Sequence, residues 1–374
     1  MRNRWITAFS RRAFAAAFRP HRSTATMSDA KRSKVAEEFQ GYTDSEGRYV
    51  NKQAAVGVVK DEIPDDVKDW STNHKPSGLL FTPLKSAAEW SKFRLTQKQI
   101  DQYWQQGYLS NIPVLTEEQC DRILDDYKLF TNPEERHRGH GLFYEFHSNQ
   151  SGDPNNVLMH ALGHWRITQL FHDLVFVPAI TVASSQLIDP SRKERDIRLW
   201  HDQLFAKPAR YGGVVAWHQD YSYWIRTKPM LHLTVHVAVD EQTVENGGLH
   251  FVPGSHRWHR DGMPLPITDD SFADMESIQK VLTNEERAAF KPVPALLKKG
   301  EASFHHPLMV HGSFSNQTDK PRRAAVVNYI ADGVYSDSDD PILAGTPLVK
   351  KGEKMGGQFY PLVYETRYCQ EGSN

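Results

Sequence analysis

The chain is poor in cysteine, with only Cys120 and Cys369 among its 374 residues. Two cysteines support neither a disulfide framework nor a zinc site built from cysteine ligands, so we expect a reducing compartment. Charge of either sign is not in excess, because 45 Lys and Arg stand against 46 Asp and Glu. We therefore expect neither a nucleic-acid partner nor a stable association with a membrane.

Long apolar runs, internal repeats and nucleotide-binding signatures are also missing from the sequence. We expect no membrane-spanning helix, because no apolar run approaches the roughly 18–20 residues that cross a bilayer. No G-x-G-x-x-G or P-loop pattern is present, which removes the usual nucleotide-binding folds. Hydrophobic residues at 39% and charged residues at 24% are ordinary for a globular protein with a substantial core.

Residues 1–26 differ in composition from the rest of the chain. They contain six arginines and no acidic residue, since the first carboxylate is Asp29. This composition is typical of a mitochondrial transit peptide. The alternatives are a disordered basic tail, or an upstream extension bypassed when translation starts at Met27, which would give a cytoplasmic protein.

Residues 27–90 are polar and weakly periodic, and we expect a partly mobile extension that buries little apolar surface.

Helical signals open the remaining domain, residues 91–374. Thr96-x-x-Gln99 and Thr116-x-x-Gln119 are capping boxes, and apolar residues follow each of them at helical spacing. A further helix is expected over residues 167–174 and is ended by Pro178.

Strand signals dominate after residue 180, with an insertion over residues 256–297 that contains a third capping box, Thr283-x-x-Glu286. Alternation with a period of two is clearest over residues 231–239. The expected strands cover residues 181–188, 197–207, 215–220, 231–239, 249–252, 301–305, 308–311 and 323–330, with an earlier one at 112–115. Short strands separated by Gly and Pro turns predict a mainly β fold with flanking helices, a double-stranded β-helix (jelly-roll, cupin-like) core.

Trp217-His218-Gln219-Asp220 is the stretch most suggestive of chemistry. Two residues apart on a strand, His218 and Asp220 face the same side and can converge on one metal ion. His311 would complete the 2-His-1-carboxylate set of non-haem iron oxygenases. The H-x-D pattern alone is common by chance, and most of the 18 histidines are expected to be structural. The downstream histidine and an arginine beyond it give the pattern its weight.

Arg322 lies close to His311 in the expected strand order. His311 ends one predicted strand and Arg322 opens the next, so antiparallel pairing would bring them together. A guanidinium holds a carboxylate bidentately, which suits a short dicarboxylate bound to the metal at its other end, the shape of 2-oxoglutarate. Arg323 would take this role if the strand register slipped by one residue.

These motifs, in this order, resemble the phytanoyl-CoA dioxygenase family of Fe(II)- and 2-oxoglutarate-dependent oxygenases over residues 95–335. The matching pieces are Thr96–Tyr108, Asp202-Gln203-Leu204 with Lys207-Pro208, Trp217-His218-Gln219-Asp220, Glu245-Asn246-Gly247-Gly248, Pro253-Gly254-Ser255-His256, His311-Gly312-Ser313, Asn316 and Arg322.

The resemblance implies Fe(II) held by His218, Asp220 and His311, with 2-oxoglutarate and O₂ as cosubstrates. It implies that Arg322 pairs with the distal carboxylate of 2-oxoglutarate and that Ser313 hydrogen-bonds it. Further cosubstrate contacts are implied for Gln203, Gln219, His236 and Lys207. Family members often carry Trp at the position of His236, and an exposed lysine at the end of a strand is the alternative for Lys207.

The reaction implied is hydroxylation of a small organic substrate with release of succinate and CO₂. The carboxylate of Asp220 favours hydroxylation over halogenation, because related halogenases lack it. A zinc hydrolase built on the same three ligands is one alternative, and a catalytically silent barrel that binds a small molecule is another. No basic cluster stands ready for the phosphates of a CoA ester, which favours a free metabolite. Oligomeric state cannot be read from the sequence.

Other residues near these motifs have open or structural interpretations. His305 and His306 precede Pro307, and this break argues against their binding a metal jointly with His311. The aromatic residues Trp217, Tyr221, Tyr223 and Trp224 either line the substrate mouth or fill the core.

Overall fold

A computed structural model describes residues 41–43, 49–51, 63–131, 138–267 and 273–370. The expected transit peptide, residues 1–26, lies outside the described residues, as does most of the polar extension up to residue 62. The transit-peptide interpretation therefore stays a prediction.

Six α-helices lie in the described part of the chain, and the three capping boxes predicted from the sequence each begin one of them. Thr96 and Thr283 exchange reciprocal hydrogen bonds with Gln99 and Glu286. Thr116 and Gln119 do the same, at 2.8 and 3.2 Å. The helices are α1 (Ala87–Ser91), α2 (Gln97–Gln106), α3 (Glu117–Thr131), α4 (Gln169–Leu174), α5 (Pro178–Leu187) and α6 (Asn284–Ala289).

Helix α5 corrects the strand predicted over residues 181–188. Pro178 occupies the first turn of this helix, where its missing N–H costs nothing, instead of ending the helix before it. All ten residues of α5 are buried, so no alternation of polar and apolar residues reveals the helical period. Buried hydroxyls remain paired inside the helix, as Ser184 donates to the carbonyl of Ile180 at 2.8 Å.

The stretch Gln169–Leu187, which contains α4 and α5, also corrects the expectation that no run is long enough to cross a membrane. By length and composition it passes that test, but it is entirely buried inside the protein. Burial of this kind is expected of the core helices of a globular domain.

Sixteen strands are described, and all of their pairings are antiparallel. They are β1 (Gly41–Thr43), β2 (Tyr49–Asn51), β3 (Tyr108–Pro113), β4 (Glu145–His147), β5 (Met159–Leu162), β6 (Ile197–Lys207), β7 (Val215–His218), β8 (Thr227–Lys228), β9 (His232–Ala238), β10 (Leu249–Phe251), β11 (Val293–Pro294), β12 (Glu301–His305), β13 (His311–Ser313), β14 (Arg322–Ala331), β15 (Tyr335–Ser336) and β16 (Leu362–Tyr364).

Two sheets form the body of the fold. The larger has the order β3-β12-β9-β14-β6-β5-β4, with β16 also paired to β6, and the smaller has the order β11-β10-β13-β7. This mainly antiparallel architecture with flanking helices confirms the predicted jelly-roll class. The expected insertion, residues 256–297, contains α6 and also β11, which adds a strand to the edge of the smaller sheet.

Alternation along β9 separates the core from the functional face of the larger sheet. Leu233, Val235 and Val237 pack into the main hydrophobic core together with residues of helices α3 to α5. Thr234 and His236, between them, face a cavity on the other side. The predicted period of two therefore assigns both faces of this strand correctly.

A bulge in β6 interrupts the same alternation. His201 pairs with Asn328 and Leu199 with Tyr329, so Trp200 is the extra residue. Strict alternation would place Leu199 on the same face as His201, but because of the bulge Leu199 lies in the main core. Trp200 lines a cavity beside His201.

Candidate active site

Three metal-ligating side chains converge where β7 meets β13. His218 ends β7 and is paired in register with His311, the first residue of β13. Asp220 lies in a 3₁₀ turn just beyond β7, which corrects its predicted place on the strand. The donor atoms of the three residues all lie within 4.8 Å of one another. The Nε2 atoms of His218 and His311 are 3.4 and 3.5 Å from Oδ1 of Asp220.

Backbone carbonyls orient both imidazoles. Nδ1 of His218 lies 2.8 Å from the carbonyl oxygen of Ala216, and Nδ1 of His311 lies 2.9 Å from that of Met309. A ring that donates from Nδ1 presents the lone pair of Nε2 to a metal. Gly312 lets the two strands approach, because a Cβ there would lie 2.9 Å from the carbonyl oxygen of Val215.

Asp220 is held by two residues of the larger sheet. Its Oδ2 accepts a 2.6 Å hydrogen bond from the hydroxyl of Thr234 and lies 3.0 Å from Nε2 of His305. This leaves Oδ1 directed at the two histidines, so the carboxylate offers one oxygen to a metal. Burial alone would raise the pKa of Asp220, but the three surrounding imidazoles, that of His311 first, hold it well below its usual value.

His305 therefore has a place in the site that the sequence interpretation missed. It stays outside the set of metal donors, as the break at Pro307 indicated, but it contacts the carboxylate of that set. His305 and Thr234 are register partners on β12 and β9. Aligning the predicted strands over residues 231–239 and 301–305 in this register would have placed His305 beside Thr234, and so near Asp220.

An inner cavity of about 60 Å³ extends from the three donors toward the strand ends. Lys207 and Arg322 line it and are almost fully buried, with 0% and 2% of their surface exposed. The exposed strand-end alternative for Lys207 is thus wrong. Nζ of Lys207 donates to Oγ of Ser313 and to the carbonyl of Phe314, at 2.7 and 2.6 Å.

Arg322 is incompletely satisfied. One guanidinium nitrogen donates to the carbonyl of Gly247, which has a left-handed backbone (φ 76°) and belongs to the Glu245-Asn246-Gly247-Gly248 motif. Its Nε is buried without a partner, and among the described residues neither Arg322 nor Lys207 makes an ion pair. Burial lowers the pKa of Arg322 to about 10 and, with the nearby guanidinium, lowers that of Lys207 well below its usual value. Two buried cations without a counter-ion make a site for an anion.

The structure distinguishes Arg322 from Arg323. Arg323 points away from the cavity and pairs with Asp240, through Nε at 2.7 Å and Nη2 at 2.9 Å. Arg322 is therefore the residue available to a carboxylate in the cavity. The expected antiparallel pairing of the strands that carry His311 and Arg322 was wrong. Strands β13 and β14 lie in different sheets, and their residues meet across the cavity.

The remaining expected cosubstrate residues separate into two groups. Gln203 and His236 line the inner cavity. Gln219 does not, because its side chain is fully bonded elsewhere. Its amide nitrogen donates to the carbonyls of Trp258 and Leu308, and its oxygen accepts from the backbone of Leu265. The implied contact of Gln219 with the cosubstrate is not supported, and the side chain instead ties the loops behind the metal donors.

An outer cavity of about 260 Å³ adjoins the inner one at His218, Asp220 and Gln203, which line both. Tyr223 and Trp224 line the outer cavity, and Trp224 is also a buried member of the hydrophobic cluster that contains Tyr221. Trp217 belongs to another cluster. The core interpretation therefore holds for Trp217 and Tyr221, whereas Tyr223 and Trp224 line the cavity.

The donor set and the inner cavity fit the cofactors implied by the resemblance. Two imidazole nitrogens and one carboxylate oxygen are a facial set for Fe(II) that leaves other positions open. The unpartnered Nε of Arg322 and the ammonium of Lys207 suit the far carboxylate of 2-oxoglutarate.

Comparison with known proteins agrees with this geometry. The family model for phytanoyl-CoA dioxygenase (PhyH) matches residues 103–324. A phytanoyl-CoA dioxygenase domain-containing protein 1 homolog from Caenorhabditis briggsae is 34% identical over 128 residues, covering 33% of this chain and 43% of that protein. A homolog of the same description from Dictyostelium discoideum is 23% identical over 300 residues, covering 68% of this chain and 99% of that one. The matched stretch thus spans under half the length of the nematode relative.

A solved structure shows the same fold. The epimerase SnoN, in complex with Fe³⁺, alpha ketoglutarate and nogalamycin RO, superposes with a TM-score of 0.57 at 21% identity, over 72% of this chain and 98% of that one. The family match spans more than half of the 374 residues and includes all three metal donors. The chain belongs to the phytanoyl-CoA dioxygenase family of iron- and 2-oxoglutarate-dependent dioxygenases.

Proposed function

We propose that the protein hydroxylates a free small organic molecule in a reaction that consumes 2-oxoglutarate and O₂ and releases succinate and CO₂. The observation that carries the proposal is that two cavities meet at the donor set, where His218 and Asp220 line both and His311 lines the inner one. One cavity ends in buried cations, and the other is open and lined by aromatic rings. A metal held there would have a dicarboxylate on one side and a substrate on the other.

His218, Asp220 and His311 would hold Fe(II), which supplies the activation of O₂ when it is bound with 2-oxoglutarate. Thr234 and His305 keep the carboxylate of Asp220 in a one-oxygen orientation that leaves coordination positions open. Because Asp220 carries a carboxylate that occupies one position, the site favours hydroxylation over halogenation.

Lys207, Arg322 and Ser313 would bind and orient the far carboxylate of 2-oxoglutarate. Both cations are buried away from solvent, so a bound carboxylate would provide for them the interactions that water provides at a surface. The same two cations would have no evident role in a zinc hydrolase, which is why the oxygenase is the better interpretation of the cavity.

The test is an anaerobic titration of the purified protein with Fe(II) and 2-oxoglutarate. We expect a weak metal-to-ligand charge-transfer band in the visible that is absent in His218→Ala and present in His160→Asn, a histidine variant of the outer cavity. Absence of the band in the wild type, or an unchanged band in His218→Ala, would refute the proposal. Succinate formation across metabolite pools would then identify the substrate.

We also propose that residues 1–26 direct the protein to mitochondria. Their arginine-rich, acid-free composition supports this. Fluorescent fusions of the full chain and of a chain beginning at Met27 should differ, with only the first in mitochondria. Cytoplasmic fluorescence from both would contradict the proposal.

A further inference from the structure

The outer cavity has an uneven distribution of charge. Its described lining contains two carboxylates, Asp220 at the metal and Glu145 at the mouth, and one cation, Arg226. His160 and His201 also line it, but burial lowers the pKa of each to about 4, so both rings are neutral at physiological pH. Away from the metal, the cavity therefore presents one acidic and one basic group.

Arg226 is committed to structure. It is exposed, and its two terminal nitrogens donate to the carbonyls of Pro341 and Ile342, at 3.0 and 2.8 Å. These bonds hold the segment that carries Ile342 and Leu343 over the cavity. Two N–H groups of Arg226 are thus engaged by backbone carbonyls, and its exposure to solvent screens the charge of the guanidinium.

Unlike that of Arg226, the side chain of Glu145 is not held by short hydrogen bonds from the described residues. Its carboxylate borders the cavity and has a long contact with His147. Its side chain is 38% exposed, and the nearest cationic candidate is Nε2 of His147 at 3.5 Å, beyond the usual hydrogen-bond length. Burial would raise the pKa of Glu145, but His147 and His160 together lower it below its usual value, so the group is ionised. An ionised carboxylate at a cavity edge is a counter-ion site.

Aromatic side chains line much of the cavity that Glu145 borders. His147, His160 and Phe205 stack across β4, β5 and β6, with ring centroids 6.1 and 4.5 Å apart and interplanar angles of 9 and 13°. Trp200, Tyr223 and Trp224 line the rest of the cavity. The faces of such rings attract cations, and a carboxylate beside them adds a full charge of the matching sign.

The position of Glu145 in the sheet gives the separation that a substrate must span. Glu145 pairs with Leu162, which pairs with Gln203 at the boundary between the two cavities. Neighbouring strands lie about 4.8 Å apart, so Glu145 and Gln203 are separated by roughly 10 Å along this row. A molecule anchored at Glu145 would therefore extend several bonds toward the metal.

We infer that the outer cavity binds an organic amine, with its protonated nitrogen paired to Glu145 and its apolar body between the aromatic rings, oriented toward the metal donors. The inference rests on the proposed oxygenase function, since it names the substrate class of that same site. It disfavours acyl-CoA esters, because Arg226, the one arginine or lysine among the described residues that line the cavity, is bonded to the carbonyls of Pro341 and Ile342.

The test compares matched triplets of arylalkyl compounds that share one body and end in an ammonium, an alcohol or a carboxylate, with two to four methylenes. Each is titrated by calorimetry into the anaerobic holoenzyme loaded with Fe(II) and 2-oxoglutarate. We expect the ammonium member of at least one triplet to bind about tenfold more tightly than its partners. Glu145→Gln should remove most of that preference. Glu276→Gln, which neutralises an exposed carboxylate outside the cavity, should keep it.

The charge-transfer band, recorded in the same samples, separates the two proposals. If the wild type shows no band, the oxygenase function itself fails. If the band is present in wild type and in Glu145→Gln, the oxygenase proposal stands and the binding data test the amine inference alone. That inference fails if the ammonium, the alcohol and the carboxylate bind equally in every triplet, or if no ammonium binds at millimolar concentration. It also fails if the preference for the ammonium survives in Glu145→Gln.

Discussion

The inner and outer cavities share His218, Asp220 and Gln203, yet the other charged groups that line them differ. In the inner cavity Lys207 and Arg322 are buried and make no ion pair among the described residues, an arrangement that suits an anion. In the outer cavity the rings of His160 and His201 are neutral at physiological pH, Glu145 is the carboxylate away from the metal donors, and Arg226 is bonded to two backbone carbonyls. The difference indicates that cosubstrate recognition and substrate recognition can be changed separately.

Loss of a metal donor should give the largest effect and should remove the function of both cavities together. We expect His311→Ala to abolish the charge-transfer band and succinate formation, because two remaining donors cannot hold the facial set. His160→Asn should retain the band and alter only substrate-dependent turnover. A His311→Ala protein that still forms succinate would show that the donors are assigned incorrectly.

Arg322→Leu should affect the inner cavity alone. We expect the KM for 2-oxoglutarate to rise by about 100-fold, because removing one partner of a buried charge pair costs about 2–5 kcal/mol. Affinity for the outer-cavity ligand, measured by calorimetry in the anaerobic metal-loaded protein, should be almost unchanged. Arg323→Leu is the matched control, since this neighbouring arginine pairs with Asp240 outside the cavity. Equal effects of the two substitutions would break the assignment.

His305→Gln and Thr234→Val should loosen the metal site without removing a donor. Each deletes one contact to Oδ2 of Asp220, and groups that orient a ligating carboxylate typically contribute 10–100-fold to metal affinity. We expect weaker Fe(II) binding by about that factor, with the KM for 2-oxoglutarate almost unchanged once iron is saturating. Unchanged metal affinity in both variants would show that the two contacts do not position Asp220.

The pH dependence of cosubstrate binding should give the smallest effect. Burial and Arg322 lower the pKa of Lys207, so its ammonium loses its proton at a lower pH than an exposed lysine would. Because the charged form binds the carboxylate, the KM for 2-oxoglutarate should rise as pH increases through that lowered pKa. Lys207→Met should have a higher KM at neutral pH and a flatter profile. Identical slopes in the two proteins would exclude Lys207 as the titrating group.

Residues whose neighbours in sequence show a clear period were predicted correctly. The capping boxes located three helices, and alternation over residues 231–239 assigned both faces of β9. The donors His218, Asp220 and His311 were also found, because their residue types and order suffice without exact geometry.

The sequence could not show features that depend on packing between distant segments. Helix α5 is buried on every side, so its sequence carries no helical period. The contact of His305 with Asp220 depends on the register of β12 against β9, and the position of Arg322 depends on two sheets facing each other. Gln219 lies between two metal donors in sequence, yet its side chain turns to the opposite side of the turn.

The division of the site between two sheets has a consequence for stability. His218 and His311 belong to the smaller sheet, whereas Arg322 and Lys207 belong to the larger one. A dicarboxylate held at one end by the metal and at the other by these cations would connect the sheets as a non-covalent cross-link. Unfolding would have to release it first, so 2-oxoglutarate at 100 times its dissociation constant should add about 2.7 kcal/mol to the free energy of unfolding of the iron-loaded protein.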